Sequence, residues 1–268
     1  MLHRVLCITS LFCLSLMVHG QRTFTLEGGL ASAAYYGDLT DGFKLAYVRP
    51  GARLAFSAYV LPTVSVRAGL TGGMITAADS LSEDIGRQRR NLSFRSPLGE
   101  ASAVVIWELL RDRRFGIRWR KQFHFSPYVL AGVALYGFDP QAQYQGQWIS
   151  LQPLGTEGQF LPGTGRPVPY SRVQTAIPVG AGLDIRFRRQ SGIRIELGYR
   201  RLFTDYLDDV STIYPEQAQL EQVLGPAAAA LSNRSSVYTT GEKRGNPLVG
   251  DSYYIASLTW VYYFDRRR

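Results

Sequence analysis

Between residues 254 and 264 every second position is apolar, Tyr254, Ala256, Leu258, Trp260, Tyr262 and Phe264, while Ser257 and Thr259 share the other face. A period of two over this length predicts a strand with one face in an apolar medium. The same alternation runs through Ile193, Ile195, Leu197 and Tyr199 against Arg194, Glu196, Gly198 and Arg200, and through Leu183, Ile185 and Phe187 against Gly182, Asp184, Arg186 and Arg188. Residues 52–60 set Leu54 and Phe56 against Arg53 and Ser57, and residues 64–74 set Val66, Ala68 and Leu70 against Arg67, Gly69 and Thr71. Residues 24–36 and 98–109 alternate less cleanly. Residues 125–138 have strand composition, but both faces are apolar and the pattern does not orient them. The count is eight strands, or ten if a long loop hides a hairpin.

The connections separate a soluble sandwich from a membrane barrel. Outer-membrane barrels alternate short periplasmic turns with long outer loops. Here the long connections are residues 37–50, 77–97, 139–171 and 205–251, and they alternate with 61–63, 110–122 and 189–192. An even count puts both ends of the chain on the short-turn side. The predicted strands reach the roughly 9 to 11 residues that a tilted bilayer crossing needs, where strands of soluble proteins are mostly shorter. The expected fold is therefore all-β, an eight-stranded antiparallel transmembrane β-barrel with long extracellular loops and short periplasmic turns.

Aromatic residues gather near strand ends: Tyr35, Tyr36, Tyr136, Phe138, Tyr199 and Phe203 on the loop side, and Phe24, Tyr59, Trp107, Phe187 and Phe264 on the turn side. They are expected to form two interfacial girdles. Eight strands leave an interior that side chains just fill. The inward set is Glu27, Arg53, Arg67, Glu100, Glu108, Asp184, Arg186, Arg194, Glu196 and Arg200, both signs together, which predicts a closed, ion-paired lumen.

Residues 1–20 carry Arg4 ahead of an apolar run that ends near Val18, the form of a secretory signal peptide. The mature chain, 21–268, then reads as one barrel domain that ends with its eighth strand. Cys7 and Cys13 leave with the leader, as do His3 and His19, so His124 is the single histidine that remains. A His-based triad or His-rich metal site is excluded on that count, and no cofactor motif appears: "GTGRP" (163–167) lacks the Lys of a phosphate loop. Export makes a nucleic-acid partner improbable despite the basic balance. That balance sits at one end. The turn side carries twelve cations against two anions, among them Arg111, Arg113, Arg114, Arg118, Arg120, Lys121, Arg188 and Arg189. This rim suits phospholipid head groups or an acidic periplasmic partner.

"FTDYLDDVSTIY" (203–214) opens the longest outer loop and brings Asp205, Asp208 and Asp209 within five positions. Three chemistries fit such a run: loop-ordering hydrogen bonds and Asx turns, a cation site, or a surface hydrolase. The last needs a histidine at the outer rim, and His124 falls at the opposite end. The Gly turn and spacing of a calcium loop are missing. A short helix is expected in "EQAQLEQVLGPAAAAL" (216–231) ahead of its Gly-Pro break.

Five stretches, "NLSFRSPLGE" (91–100), "FSPYVLAGVALYGFDP" (125–140), "LQPLGTEGQ" (151–159), "FTDYLDDVSTIY" (203–214) and "LTWVYYF" (258–264), together resemble the PorG-like outer-membrane β-barrel family of Bacteroidota. The resemblance spans most of the mature chain in order, and "PLGTEG" and "TDYLDDVS" are its most specific parts. It implies a barrel without enzymatic activity or catalytic residues. It also implies an association with the type IX secretion machinery, in which PorG-type barrels contact a periplasmic ring lipoprotein. The alternatives are an independent surface barrel acting through its loops in adhesion or envelope integrity, a small-solute channel, and the surface hydrolase. The sequence does not set the oligomeric state.

Overall fold

The computed structural model describes residues 24–42, 44–110, 124–235 and 237–264. The expected leader and the rim residues Arg111, Arg113, Arg114, Arg118, Arg120 and Lys121 lie outside the described residues.

Eight long strands close on themselves. They are β1 (Phe24–Tyr36), β2 (Arg49–Leu61), β3 (Val64–Ala78), β4 (Ser93–Glu108), β5 (His124–Phe138), β8 (Val173–Arg188), β9 (Ser191–Leu202) and β10 (Ser252–Phe264). Each pairs antiparallel with its neighbour in this order, and β10 returns to β1 from Phe24↔Phe264 to Tyr36↔Ser252. A closed antiparallel ring satisfies every interior strand edge within the sheet, which is what a bilayer demands of a β-structure.

The pleat sorts side chains as the alternation predicts. Leu30, Leu54, Leu70, Val133 and Leu197 stand on the outer surface, each at least 59% exposed. All ten predicted interior charges are buried. Apolar outside and charged inside inverts the partition of a soluble protein, and it makes sense only against lipid. In β5 the pleat turns Tyr128, Leu130, Tyr136 and Phe138 inward and Phe125, Val129 and Leu135 outward, which orients the strand that the pattern left open.

The girdles are smaller than expected. Tyr36, Phe203, Trp107 and Phe264 do face outward, and Phe24 stacks on Phe56, Phe187 meets Trp260 edge to face and Tyr199 lies tilted against Tyr254, with ring centroids 5.3–5.6 Å apart. Tyr35, Tyr136 and Phe138 instead point inward and are buried, and Tyr59 turns in to donate its hydroxyl to Glu108. Aromatic content near a strand end does not determine which side of the pleat a ring takes; parity does.

The outer loops are folded, not splayed. Tyr35, Ile75, Phe94, Tyr136, Phe138, Tyr253 and Ile255 from the upper strands form one buried cluster with Leu39, Tyr47, Leu92, Leu151, Tyr170, Leu207, Val210 and Leu231 from the loops. The barrel mouth is thus closed by an apolar core that the loops complete. Loop 2 (79–92) contains α1 (Ile85–Arg90), whose first turn is capped by Asp84 through the Arg87 amide at 2.8 Å. Loop 3 (139–172) holds a hairpin of β6 (Gln141–Tyr144) and β7 (Gln147–Ser150), reversed at Gln145 and Gly146 with φ of 48° and 81°. Paired positive φ values at such a turn match the twist of a two-residue hairpin. The hairpin joins β4 only at Arg95↔Gln141 and stays outside the ring, so ten strands exist but eight make the barrel. Loop 4 (203–251) carries α2 (Gln217–Leu224) and α3 (Pro226–Ser232), broken at Gly225 with φ 93°. The expected helix is therefore two, the second starting on the proline whose missing amide costs a helix nothing at that position.

Candidate functional site

Two buried polar networks lie along the barrel axis. The lower one fills the lumen. Arg67 and Arg53 converge on Glu196 at 2.6 and 3.0 Å, and Tyr128 donates to the same carboxylate at 2.8 Å. Arg194 pairs with both Glu27 and Asp184. Arg200 holds Glu100 through two nitrogens at 2.9 and 3.0 Å, joined by the Tyr253 hydroxyl at 2.8 Å. Strands β1, β2, β3, β4, β5, β8, β9 and β10 all contribute. Each of these charges leaves water but gains an opposite charge, the condition under which buried ions persist.

The upper network lies in the cap, and the acidic run of loop 4 is at its centre. Asp208 and Asp209 are buried within the cap, where a solvated loop would leave them exposed. Asp209 accepts from the Tyr170 hydroxyl at 2.7 Å and from Thr156. Beside it Glu157 accepts from the amides of Ser211 and Thr212 at 2.8 and 3.1 Å, from the Thr212 hydroxyl at 2.6 Å and from the Tyr206 hydroxyl at 3.1 Å. Arg244 lies between the two acids, 3.0 Å from Glu157, and also donates to the Asp209 carbonyl. The two most distinctive stretches of the sequence, "PLGTEG" and "TDYLDDVS", thus meet side by side although they lie about fifty residues apart.

A second arginine continues the chain of contacts. Arg90 at the end of α1 grips Asp79 through two nitrogens at 2.7 and 2.8 Å and donates to the carbonyls of Arg244 and Asp38 at 2.6 and 2.9 Å. Loop 1 (37–48) and loops 2, 3 and 4 are thereby tied together by Asp38, Asp79, Arg90, Arg244, Glu157 and Asp209.

Asp208 belongs to a different arrangement. Its carboxylate receives the Val210 amide at 2.9 Å, an Asx-type turn, and lies 2.6 Å from the Tyr35 hydroxyl. That hydroxyl is also 2.9 Å from Asp251, whose other oxygen receives the Leu207 amide at 2.8 Å. Asp205 is half-buried with Ser211 facing it. Burial raises Asp205 to about 7, with Asp38 and Glu157 adding to the shift. Burial likewise lifts Asp209 to about 6, against the pull of Arg244, Thr156 and Tyr170. Asp208 and Asp251 are pushed well above the carboxylate range by burial first, then by neighbouring carboxyls.

Sequence reasoning placed Asp208 and Asp209 in one run but missed Tyr35, Glu157, Arg244 and Asp251, which reach them from 35 to 173 residues away. Only the "PLGTEG" stretch carried a signal, and it came without a role. The turn-side residues Arg188 and Arg189 are exposed at the β8 end, opposite the aspartates, and His124 starts β5 at that same end. Among the described residues no group of three or more His, Cys, Asp or Glu is arranged to hold a metal ion, and no helix is long and apolar enough to cross a membrane.

A closed eight-stranded ring, lipophilic outside and ion-paired within, defines the class: this is a β-barrel protein of the Gram-negative outer membrane. No protein-family model and no curated protein matches the chain. Among solved structures it is similar to Ail, the attachment invasion locus protein of Yersinia pestis, in complex with the heparin analogue sucrose octasulfate. That match has 13% identity and a TM-score of 0.43, covering 91% of this chain and all of that one. OprG of Pseudomonas aeruginosa matches at 9% identity and a TM-score of 0.49 over 92% of this chain and 98% of its own. Neisserial surface protein A matches at 8% and 0.44 over 91% and 97%.

Proposed function

We propose that this chain is a non-enzymatic, non-conducting barrel with a structural or scaffolding role, a PorG-like protein associated with the type IX secretion machinery through its periplasmic face. The observation that carries the scaffold reading is the lumen, filled by ion pairs and tyrosine hydrogen bonds that draw on all eight strands and roofed by folded loops. The secretion assignment rests on the five resembling stretches, and the exposed Arg188 and Arg189 give the turn side a basic surface suited to an acidic ring lipoprotein or to lipid head groups. In this reading Asp205, Asp208 and Asp209 order loop 4. The signal peptide of residues 1–20 delivers the chain to the periplasm. The test is detergent extraction of the tagged protein from its native outer membrane, with mass spectrometry of what accompanies it. Recovery of a periplasmic ring lipoprotein, lost when Arg111, Arg113, Arg114, Arg188 and Arg189 are reversed to glutamate, supports the scaffold. Unchanged recovery in the reversed variant removes the docking face.

A second reading, an independent surface barrel in adhesion or envelope integrity, draws on the cap itself. A folded cap that presents Leu45, Val168, Val237 and Leu248 to solvent offers a shaped outer surface. Recovery of the barrel alone favours it.

A further inference from the structure

The strongest unexplained feature of the cap is the way Tyr35 joins Asp208 to Asp251. A phenol has one proton to donate. Its oxygen lies 2.6 Å from one carboxyl and 2.9 Å from the other, so a full hydrogen bond to each is made when it donates to one and accepts from the other. Accepting from a carboxyl requires that carboxyl to carry a proton. That arrangement holds one more proton than two aspartates and a tyrosine have at neutral pH in water.

We propose that the outer cap is closed by a proton-dependent latch, in which a proton held between Asp208 and Asp251 through the Tyr35 hydroxyl fastens loop 4 to the outer ends of β1 and β10, and whose loss releases it. The inference is independent of which partner the barrel serves.

The surroundings leave the proton little competition. Asp208 faces Asp251, Asp38 and Tyr35, and Asp251 faces Asp205, Asp38 and Tyr35. From β5 the hydroxyl of Tyr136, itself 1% exposed and without a hydrogen-bond partner, has Asp251 as its charged neighbour. From loop 3, Tyr170 faces Asp208 and Glu157 faces Asp205. The nearby cations are engaged elsewhere: Arg90 on Asp79, Arg244 on Glu157 and Arg87 on Asp41. Lys243 acts on Asp38 at longer range. Gly37 packs directly against the group: a Cβ there would lie 1.9 Å from Asp251 Oδ1 and 2.1 Å from the Tyr35 oxygen.

The sign follows from linkage. A carboxyl held above its ordinary value in the folded cap binds its proton more tightly there than in the opened loop. The stabilisation is complete below the ordinary carboxylate value and is lost as pH rises toward the folded one. The window of the latch runs from the ordinary carboxylate value up to the raised values of Asp208 and Asp251, and the neighbouring Asp205, raised to about 7, adds a loss of the same sign. The cap is therefore tightest in acid and loosens as pH rises.

The test is amide deuterium exchange, corrected for intrinsic rates, on the full chain in detergent micelles between about pH 5 and about pH 9, a span that brackets the ordinary and raised carboxyl values. Protection in residues 204–212 and 245–251 is expected to fall at least about tenfold, the worth of one pKa unit, while β9 and β10 stay constant. Asp208→Asn with Asp251→Asn, which keeps the neutral shape at every pH, is expected to flatten that dependence, and Tyr35→Phe to lower protection on the acid side. Wild-type protection that is constant with pH overturns the latch, as does a double variant that keeps the full wild-type pH dependence. Heat-modifiable migration on gels reports whether each variant forms its barrel. If the double variant does not, the wild-type series and Tyr35→Phe decide, and a phenylalanine variant as protected as wild type in acid sinks the proposal.

Discussion

Arg244 shows what a single buried charge does in the cap. It is 2% exposed and lies between Glu157 and Asp209, with a further nitrogen on the Ser232 carbonyl at 3.2 Å. Replacing it with alanine leaves two carboxylates without their cation, and breaking such a buried set typically costs about 3–5 kcal/mol. Arg244→Ala is accordingly expected to expose loop 4 to external protease while the barrel keeps its heat-modifiable migration; a loop as resistant as wild type would show that the arginine is not holding it. Legibility in sequence at this scale follows from range. The parity of Arg53, Arg67, Arg194, Glu196 and Arg200 within their own strands already put them inside, because a period of two is local. Tyr35 and Tyr136 obey the same parity but read as girdle residues, since an aromatic ring is at home both in lipid headgroups and in a core. Asp208 and Asp209 look alike as neighbours in the chain, yet one meets Tyr35 and the other Tyr170, and no local pattern records which distant loop each one meets.

At the scale of elements, strand boundaries were readable and cap architecture was not. Residues 24–36 coincide with β1, whereas β3 and β4 extend to Ala78 and begin at Ser93, beyond the alternation that marks the lipid belt. The extra residues rise into the cap, where both faces are covered and the polar half of the alternation disappears, as at Ile75, Ala77 and Phe94. Hidden strands β6 and β7 were foreseen only as a hairpin that a long loop could contain. Their attachment to the barrel wall is slight, one register pair with the Arg95 guanidinium 3.8 Å above Trp148, and the rest is to the cap, where Ala142 is buried in the apolar core with Tyr144 and Ile149 against it and Arg234 donates to the Gln143 carbonyl at 2.9 Å. A cation over an indole contributes about 0.5–1 kcal/mol at an exposed site. Excising residues 141–150 in favour of a short Gly-Ser link is therefore expected to leave barrel folding and heat-modifiable migration unchanged. Loss of the folded gel form in that variant would mean that the hairpin is part of the barrel's own stability.

The whole molecule has a charged, filled axis inside an apolar wall, and its parts agree on a closed state. Ion pairs at three heights, Arg194 with Asp184, Arg67 with Glu196 and Arg200 with Glu100, are stacked beneath the roof of Tyr35, Tyr136 and Phe138. Planar-bilayer recording of the purified chain is expected to show no steady conductance; stable unitary openings would revive the solute-channel alternative. Fold class and barrel size were legible because alternation and loop asymmetry are properties of the bilayer as solvent, repeated strand after strand. The seam between β1 and β10 carries a different consequence. Residues 24–36 find a hydrogen-bonded partner on one side only in residues 252–264, and Tyr35 meets Asp251, 216 positions further along the chain, at the outer end of the same seam. A chain without β10 therefore offers the membrane two raw edges, on β1 and on β9, each unpaired backbone group costing several kcal/mol there. Insertion is in this way conditional on a seam between strands far apart in sequence, and the bilayer itself selects for the closed ring.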